Sequence, residues 1–222
     1  MRIFPLGENA LTVEFGNEIS LDLNRKAIDL AEHFQNEPFP GLIETVPAYA
    51  STTVFYDPTI VRRAFRENPS AFDAVRSLAE MAACTVVQRP VNEKRVVDIP
   101  IIIDRASAPD LNSVSEFSGL PVNEVISTFV DRTYRVYMLG FLPGFPYMGE
   151  VDERIAAPRK QTPRVKVTRG SVGIAGKQTG IYSLESPGGW QIIGRTEMEM
   201  FDPVKERPCA LQPGDEVRFM RV

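Results

Sequence analysis

From Gly170 the chain reads GSVGIAGKQTGIY and then, three residues later, SPGGW, so glycine stands at nearly every third position among apolar residues. Glycine weakens a strand and brings no side chain to pack. Such density fits places where the chain turns tightly or where a ligand approaches main-chain N–H groups closely. From Gly140 onward helical periodicity is absent, and short extended runs separated by Gly/Pro turns predict an all-β barrel or sandwich. Arg154 to Leu184 also lacks Asp and Glu while holding Arg154, Arg159, Lys160, Arg164, Lys166, Arg169 and Lys177. The expectation is a wall of backbone that attracts anions.

Before that half the pattern is different. Ile3 to Phe15 reads as two strands around Gly7-Glu8-Asn9, and Ser20 as the N-cap of a helix whose apolar positions run from Leu23 to Phe34. Leu42–Val46 and Thr52–Tyr56 predict paired strands, the second closed by Asp57-Pro58, and Ser70 begins a second long helix. Val96 to Ile103, a nearly continuous apolar run, suits a covered strand. Asp110 and Pro121 open two short helices, the first ended by Gly119, and Tyr134 to Leu139 is a strand leading into the glycine-rich half. The fold class is therefore α+β, with an N-terminal α+β domain at 1–90 and a β domain at 91–222, the boundary falling within 90–140. Charge agrees: residues 1–132 carry 12 Lys/Arg against 19 Asp/Glu, and residues 133–222 carry 13 against 10.

Composition removes several classes of function. A net charge of -4 is unsuited to non-specific nucleic-acid binding, which needs a broad basic footprint. No run approaches the ~20 apolar residues that span a bilayer, and Met1 to Asn9 shows no signal-peptide pattern, so a cytoplasmic location is expected. Cys84 and Cys209 form no metal or disulfide motif, and one histidine, His33, supports neither a zinc site nor a catalytic triad. No metal is expected.

Five motifs in order carry a resemblance: GFLPGFPYMG from Gly140, Pro158-Arg159 with Pro163-Arg164, SVGIAGKQTGIY, SPGGW, and IIGRT. With Pro47 to Ser51, Tyr56-Asp-Pro58, Phe201-Asp-Pro203 and Leu211 to Phe219, they resemble the 5-oxoprolinase B-subunit family across nearly the whole chain. That family is also described as allophanate hydrolase subunit 1 and as an inhibitor of a sporulation histidine kinase. The resemblance implies a small N-terminal α+β domain and a C-terminal cyclophilin-like β-barrel related to half of the urea carboxylase carboxyltransferase domain. It implies one subunit of an ATP-dependent enzyme that opens 5-oxoproline to glutamate with partner subunits A and C. The alternatives are a protein-binding inhibitor of a histidine kinase and half of a urea-carboxylase-like carboxyltransferase. Two positions depart from the family: Phe129 stands where a histidine is common, and Val167-Thr-Arg-Gly-Ser171 replaces VPAGS, adding Arg169.

Arg159 and Arg164, each set by a preceding proline, are the leading anion-binding candidates, because guanidinium matches carboxylate or phosphate in a bidentate manner. Lys177 and Gln178 follow the Gly176 turn and join them, with Gly173, Tyr182, Gly188 and Gly189; a packed phenol is the plainer reading of Tyr182. Phe141, Phe145 and Trp190 either bury against the barrel or are candidates for a subunit interface, where aromatic residues are enriched. The sequence has no P-loop, so an ATP site would be shared with a partner. No residue is assigned a catalytic role.

Overall fold

In the computed structural model, which describes residues 1–86 and 95–222, the chain divides into two units, Met1–Glu93 and Lys94–Val222. The expected boundary at 90/91 lies outside the described residues.

The first unit contains β1 (Arg2–Pro5), β2 (Ala10–Glu14), α1 (Leu21–Asn36), β3 (Leu42–Pro47), β4 (Ser51–Tyr56), α2 (Pro58–Ala64) and α3 (Ala71–Val86). Its antiparallel sheet runs β1-β2-β4-β3, with α1 against β3 and β4 and α3 against β2. Strand β4 turns Thr52, Val54 and Tyr56 inward, following its period of two. The buried Thr52 hydroxyl donates to the Ala27 carbonyl at 2.6 Å, and Thr45 donates to Ala31 at 3.2 Å, so inward polar groups are satisfied by α1. Ser20 occupies the N-cap position of α1 but makes no side-chain cap bond. Asp57-Pro58, expected only to close β4, starts α2: the Asp57 carboxylate accepts from Thr59 N and Ile60 N while Pro58 takes the first turn.

The second unit contains β5 (Val96–Ile101), α4 (Leu111–Ser118), α5 (Val122–Val130), β6 (Thr133–Leu139), β7 (Pro146–Gly149), β8 (Arg164–Val167), β9 (Ser171–Ala175), β10 (Gln178–Ile181), β11 (Ser186–Gly188), β12 (Gln191–Arg195) and β13 (Glu216–Arg221). Seven strands form one sheet in the order β12-β9-β10-β7-β6-β13-β5, antiparallel except for β13 with β5. The sheet curls until its ends meet: Ile102, just past β5, exchanges both backbone hydrogen bonds with Arg195 at the end of β12. Strands β8 and β11 form a separate ribbon. Helices α4 and α5 pack on β12 and β13 and enclose a core including Val114, Phe129, Tyr134, Val136, Ile174, Ile193 and Phe219. Phe129 stacks on Phe219 with centroids 5.0 Å apart and is 1% exposed, so this position holds a core ring.

The expected covered strand at 96–103 is half-exposed. β5 ends the strand order, and Val96, Asp98 and Pro100 face solvent while Ile99 and Ile101 enter the core. Proline and a charged residue on the open side suit an edge.

Two glycines with positive φ separate conformational from steric demand. A Cβ on Gly170 (φ +83°) would lie 2.1 Å from the Thr196 carbonyl oxygen, whereas one on Gly176 (φ +60°) would meet nothing within 4 Å. Gly176→Ala should cost about 1–2 kcal/mol for the left-handed backbone alone. Gly170→Ala should cost more than about 3 kcal/mol, because backbone must also move. Urea unfolding of the two variants measures the difference.

Candidate functional site

The acid-free stretch is neutralised from elsewhere in the chain. Arg154 pairs with Asp152, Lys160 and Arg164 with Asp110, Lys166 with Glu185, Arg169 with Glu199 and Lys177 with Glu153. Of its seven cations Arg159 has no carboxylate partner among the described residues, and its guanidinium lies 5.8 Å from the Trp190 ring centroid. Lack of acids nearby in sequence therefore does not make an unpaired basic wall.

Asp110 is the focus of that network. It precedes α4 but makes no side-chain cap, and its carboxylate is buried. One oxygen accepts from Lys160 Nζ at 2.8 Å and Arg164 Nη2 at 2.6 Å; the other accepts from the Ile192 backbone N–H at 2.7 Å. Burial by itself would raise this carboxyl; the bonds from Arg164, Lys160 and Ile192 together outweigh it and hold the group below its ordinary value of 3.8. One carboxylate thus ties β8, the loop before it and the start of β12 to the head of α4. Arg164 is accordingly a structural tie, and its Nη1 remains buried without an acceptor.

The glycine-dense wall proves to be the lining of a protein-filled space. Phe145, Tyr182 and Trp190 are 1%, 1% and 5% exposed and meet edge to face, with Phe145 centroids 5.3 Å from Tyr182 and 5.5 Å from Trp190. A Cβ on Gly180 would come within 2.8 Å of Phe145, on Gly188 within 2.2 Å of the Tyr182 hydroxyl, and on Gly173 within 3.0 Å of the Trp190 Cβ. The rings occupy the room those glycines leave. Phe145 and Trp190, for which burial and a subunit interface were both open, are core residues of this cluster. Phe141 is different: 61% exposed, with φ of 66°, it lies edge-on to Phe145 and Tyr182.

Around the Tyr182 phenol the structure does gather several candidates. Burial pushes its pKa up, opposed by a backbone hydrogen bond from Trp190 and by the charges of Arg159 and Arg164. The phenol is therefore neutral at physiological pH, and both arginines stand within electrostatic reach of it. Arg159 is pre-set by its neighbours: Lys160 N donates to Gly189 O at 2.7 Å, and Gln191 Nε2 donates to Pro158 O at 3.0 Å. Gly189 packs near Pro163. Lys177 and Gln178, by contrast, sit at the Gly176 turn, the other end of the β9–β10 hairpin, roughly 13 Å away at ~3.3 Å per residue. There Lys177 is tied to Glu153, and its carbonyl accepts from Val151 N. Sequence reasoning passed over Asp110, taken for a cap, and Tyr147, whose ring is 4.9 Å from Phe145. The PYMG of the motif contained the tyrosine, but only folding placed it against the cluster.

Known proteins place this geometry in a family. Residues 1–211 match the family described as carboxyltransferase domain, subdomain C and D. The chain is 40% identical over 222 residues to the 5-oxoprolinase B subunit of Bacillus subtilis, covering 100% of this chain and 92% of that one. It is 37% identical to the 5-oxoprolinase B subunit of Escherichia coli O157:H7, covering 99% and 95%. The chain belongs to the 5-oxoprolinase B-subunit family. Among solved structures, TTHA0988 superposes with a TM-score of 0.81 and 37% identity over 96% of this chain, which spans 39% of that longer one. Kluyveromyces lactis urea carboxylase superposes with a TM-score of 0.76 at 20% identity, over 99% of this chain and 21% of that one, which shows a shared fold. No helix among the described residues is long and apolar enough to cross a membrane.

Asp110→Asn keeps the shape and removes the charge. We expect a loss of about 2–3 kcal/mol at pH 7, below the 3–5 kcal/mol for a fully buried pair because Lys160 and Arg164 are each 28% exposed. The folded-state carboxyl is depressed, so its contribution is present above the ordinary value of 3.8 and disappears as pH falls through the lower folded value. Denaturation midpoints of the native protein and the variant, measured from pH 7 downward, should begin to converge near pH 4 and meet only below the lowered folded value.

Proposed function

We propose that this chain is the B subunit of an ATP-dependent 5-oxoprolinase, working with partner subunits A and C in the cytoplasm. The observation that supports this reading most is the end-to-end match to proteins named as that subunit of 5-oxoprolinase, which they and this chain share over more than nine-tenths of both lengths. The second unit is proposed to be the cyclophilin-like barrel of that family, in keeping with a sheet whose ends meet at Ile102 and Arg195.

A five-membered lactam resists water because its amide is resonance-stabilised and its amine leaves poorly. In the proposed reaction the lactam oxygen takes the γ-phosphoryl group of ATP and ADP departs. Water adds to the activated carbon, the C–N bond breaks to free the amine, and a second water releases phosphate from the resulting acyl phosphate. Negative charge gathers on lactam, phosphoryl and carboxylate oxygens, where fixed donors are most effective. In this chain the donor suited to such oxygens is Arg159, whose neighbours are tied on both sides and whose guanidinium lies over the Trp190 ring, open to solvent. The sequence has no P-loop, so the nucleotide is assigned to a site shared with a partner.

The isolated chain should release no phosphate from ATP in response to 5-oxoproline, and co-expression with subunits A and C should restore turnover. Full turnover by the chain alone overturns the reading. In the assembled enzyme Arg159→Ala should lower kcat/KM roughly a hundredfold, about 3 kcal/mol of transition-state stabilisation. Stability should change by less than about 1 kcal/mol, since the side chain is exposed.

A further inference from the structure

A second cationic feature lies where the sheet closes. A cleft of about 280 Å³ opens between the loop after β5, strand β8 and the end of β12. Val167 and Ile192 form part of its wall and also belong to the aromatic cluster, so the cleft backs onto the Tyr182 region. Three cations line it: Arg164, Lys166 and Arg195.

Their surroundings are unequal. Lys166 is paired with Glu185 at 2.7 Å, but both side chains are more than half exposed, so the pair is loose. Arg164 is anchored through Nη2 to Asp110, leaving Nη1 without an acceptor. Arg195 has no side-chain acceptor among the described residues, while its backbone is locked by the two bonds to Ile102. Strand β12 bulges between Ile192 and Gly194, immediately before Arg195, and bulges redirect side chains. Gly194 is required there, because a Cβ would lie 2.5 Å from the Ile101 Cδ1.

The one carboxylate in the lining, Asp104, is turned onto its own loop. It accepts from the Ser107 hydroxyl, Ser107 N at 2.7 Å and Ala106 N at 3.0 Å. These bonds, the Ser107 hydroxyl foremost, hold its pKa low. All three bonds fall on one oxygen and orient the carboxylate within its own loop, and it makes no ion pair with Arg195 among the described residues. A volume near the lower bound of small-molecule pockets, ~300 Å³, suits a compact ligand better than a nucleotide or a peptide.

We propose that this cleft binds a compact oxyanion, a carboxylate or a phosphate group, through Arg195 and Arg164, with Asp110 as the positioning residue that holds Arg164 in place. The cleft stands on its own geometry; only the choice of 5-oxoproline as the carboxylate to try rests on the 5-oxoprolinase reading above.

The full chain would be titrated by calorimetry with L-5-oxoproline and, separately, with inorganic phosphate, both against chloride at equal ionic strength. Saturable binding of 5-oxoproline alone identifies a carboxylate site, of phosphate alone a phosphoryl site, and mutual competition one site for both. Arg195→Ala should weaken binding at least tenfold, the loss expected for a charge-assisted contact, and leave the unliganded melting temperature unchanged. Arg195→Lys, which keeps the charge but not the bidentate fork, should retain part of the affinity. No saturable binding of either anion, or binding by Arg195→Ala equal to the native chain, overturns the proposal. If the native chain binds and the assembled subunits show no 5-oxoproline-dependent ATP hydrolysis, the 5-oxoprolinase reading fails while the cleft stands. Turnover together with native-like binding by Arg195→Ala removes the cleft and leaves the 5-oxoprolinase reading in place.

Discussion

The buried carboxylate of Asp110 is the contact on which the arrangement of the second unit's loops depends. Two cations and one backbone amide converge on it from three segments distant in sequence. Removing it would leave a guanidinium and an ammonium beside each other in a partly desolvated place, so the three donors and the acceptor act as a unit. Because Arg164 also lines the cleft, and Lys160 is the residue whose amide pins the loop carrying Arg159, this one acid fixes the position of both candidate anion contacts.

The aromatic cluster does the complementary work on the apolar side. Phe145, Tyr182 and Trp190 fill the volume that Gly173, Gly180 and Gly188 leave open, and their mutual edge-to-face contacts make a rigid floor. Arg159 rests on that floor with its charge free, while Phe141 stands at its rim in a left-handed backbone conformation that a non-glycine residue rarely adopts. Strain and exposure at one residue mark Phe141 as the place where this surface departs from ordinary packing.

Much of the architecture was legible in local pattern. Helices α1 and α3, the pairing of β3 with β4 and the strand character of the glycine-rich half follow from apolar periodicity and turn residues, which act over a few positions. Helix α2 escaped because Asp57-Pro58 serves equally as a strand stop and as a helix start; the Asp57 bonds to Thr59 N and Ile60 N decide between them. The solvent face of β5 escaped because which face of a sheet is left uncovered is not a local property. In the candidate site, Arg159, Arg164 and Tyr182 were legible from the proline and glycine motifs, whereas Asp110 looked like a helix cap, since nothing within its neighbouring residues announces partners 50, 54 and 82 positions away.

By itself the sequence determined the family, the α+β class and the segments that carry function, because motif order and short-range periodicity are written along the chain. Only the tertiary structure decided which charges are free. Lys160, Arg164, Lys166, Arg169 and Lys177 appear equivalent to Arg159 in a stretch without acids, yet folding gives each of the five a carboxylate and Arg159 an indole. Coulombic and hydrogen-bonded pairing act through space over a few ångströms, and distance along the chain carries no information about them.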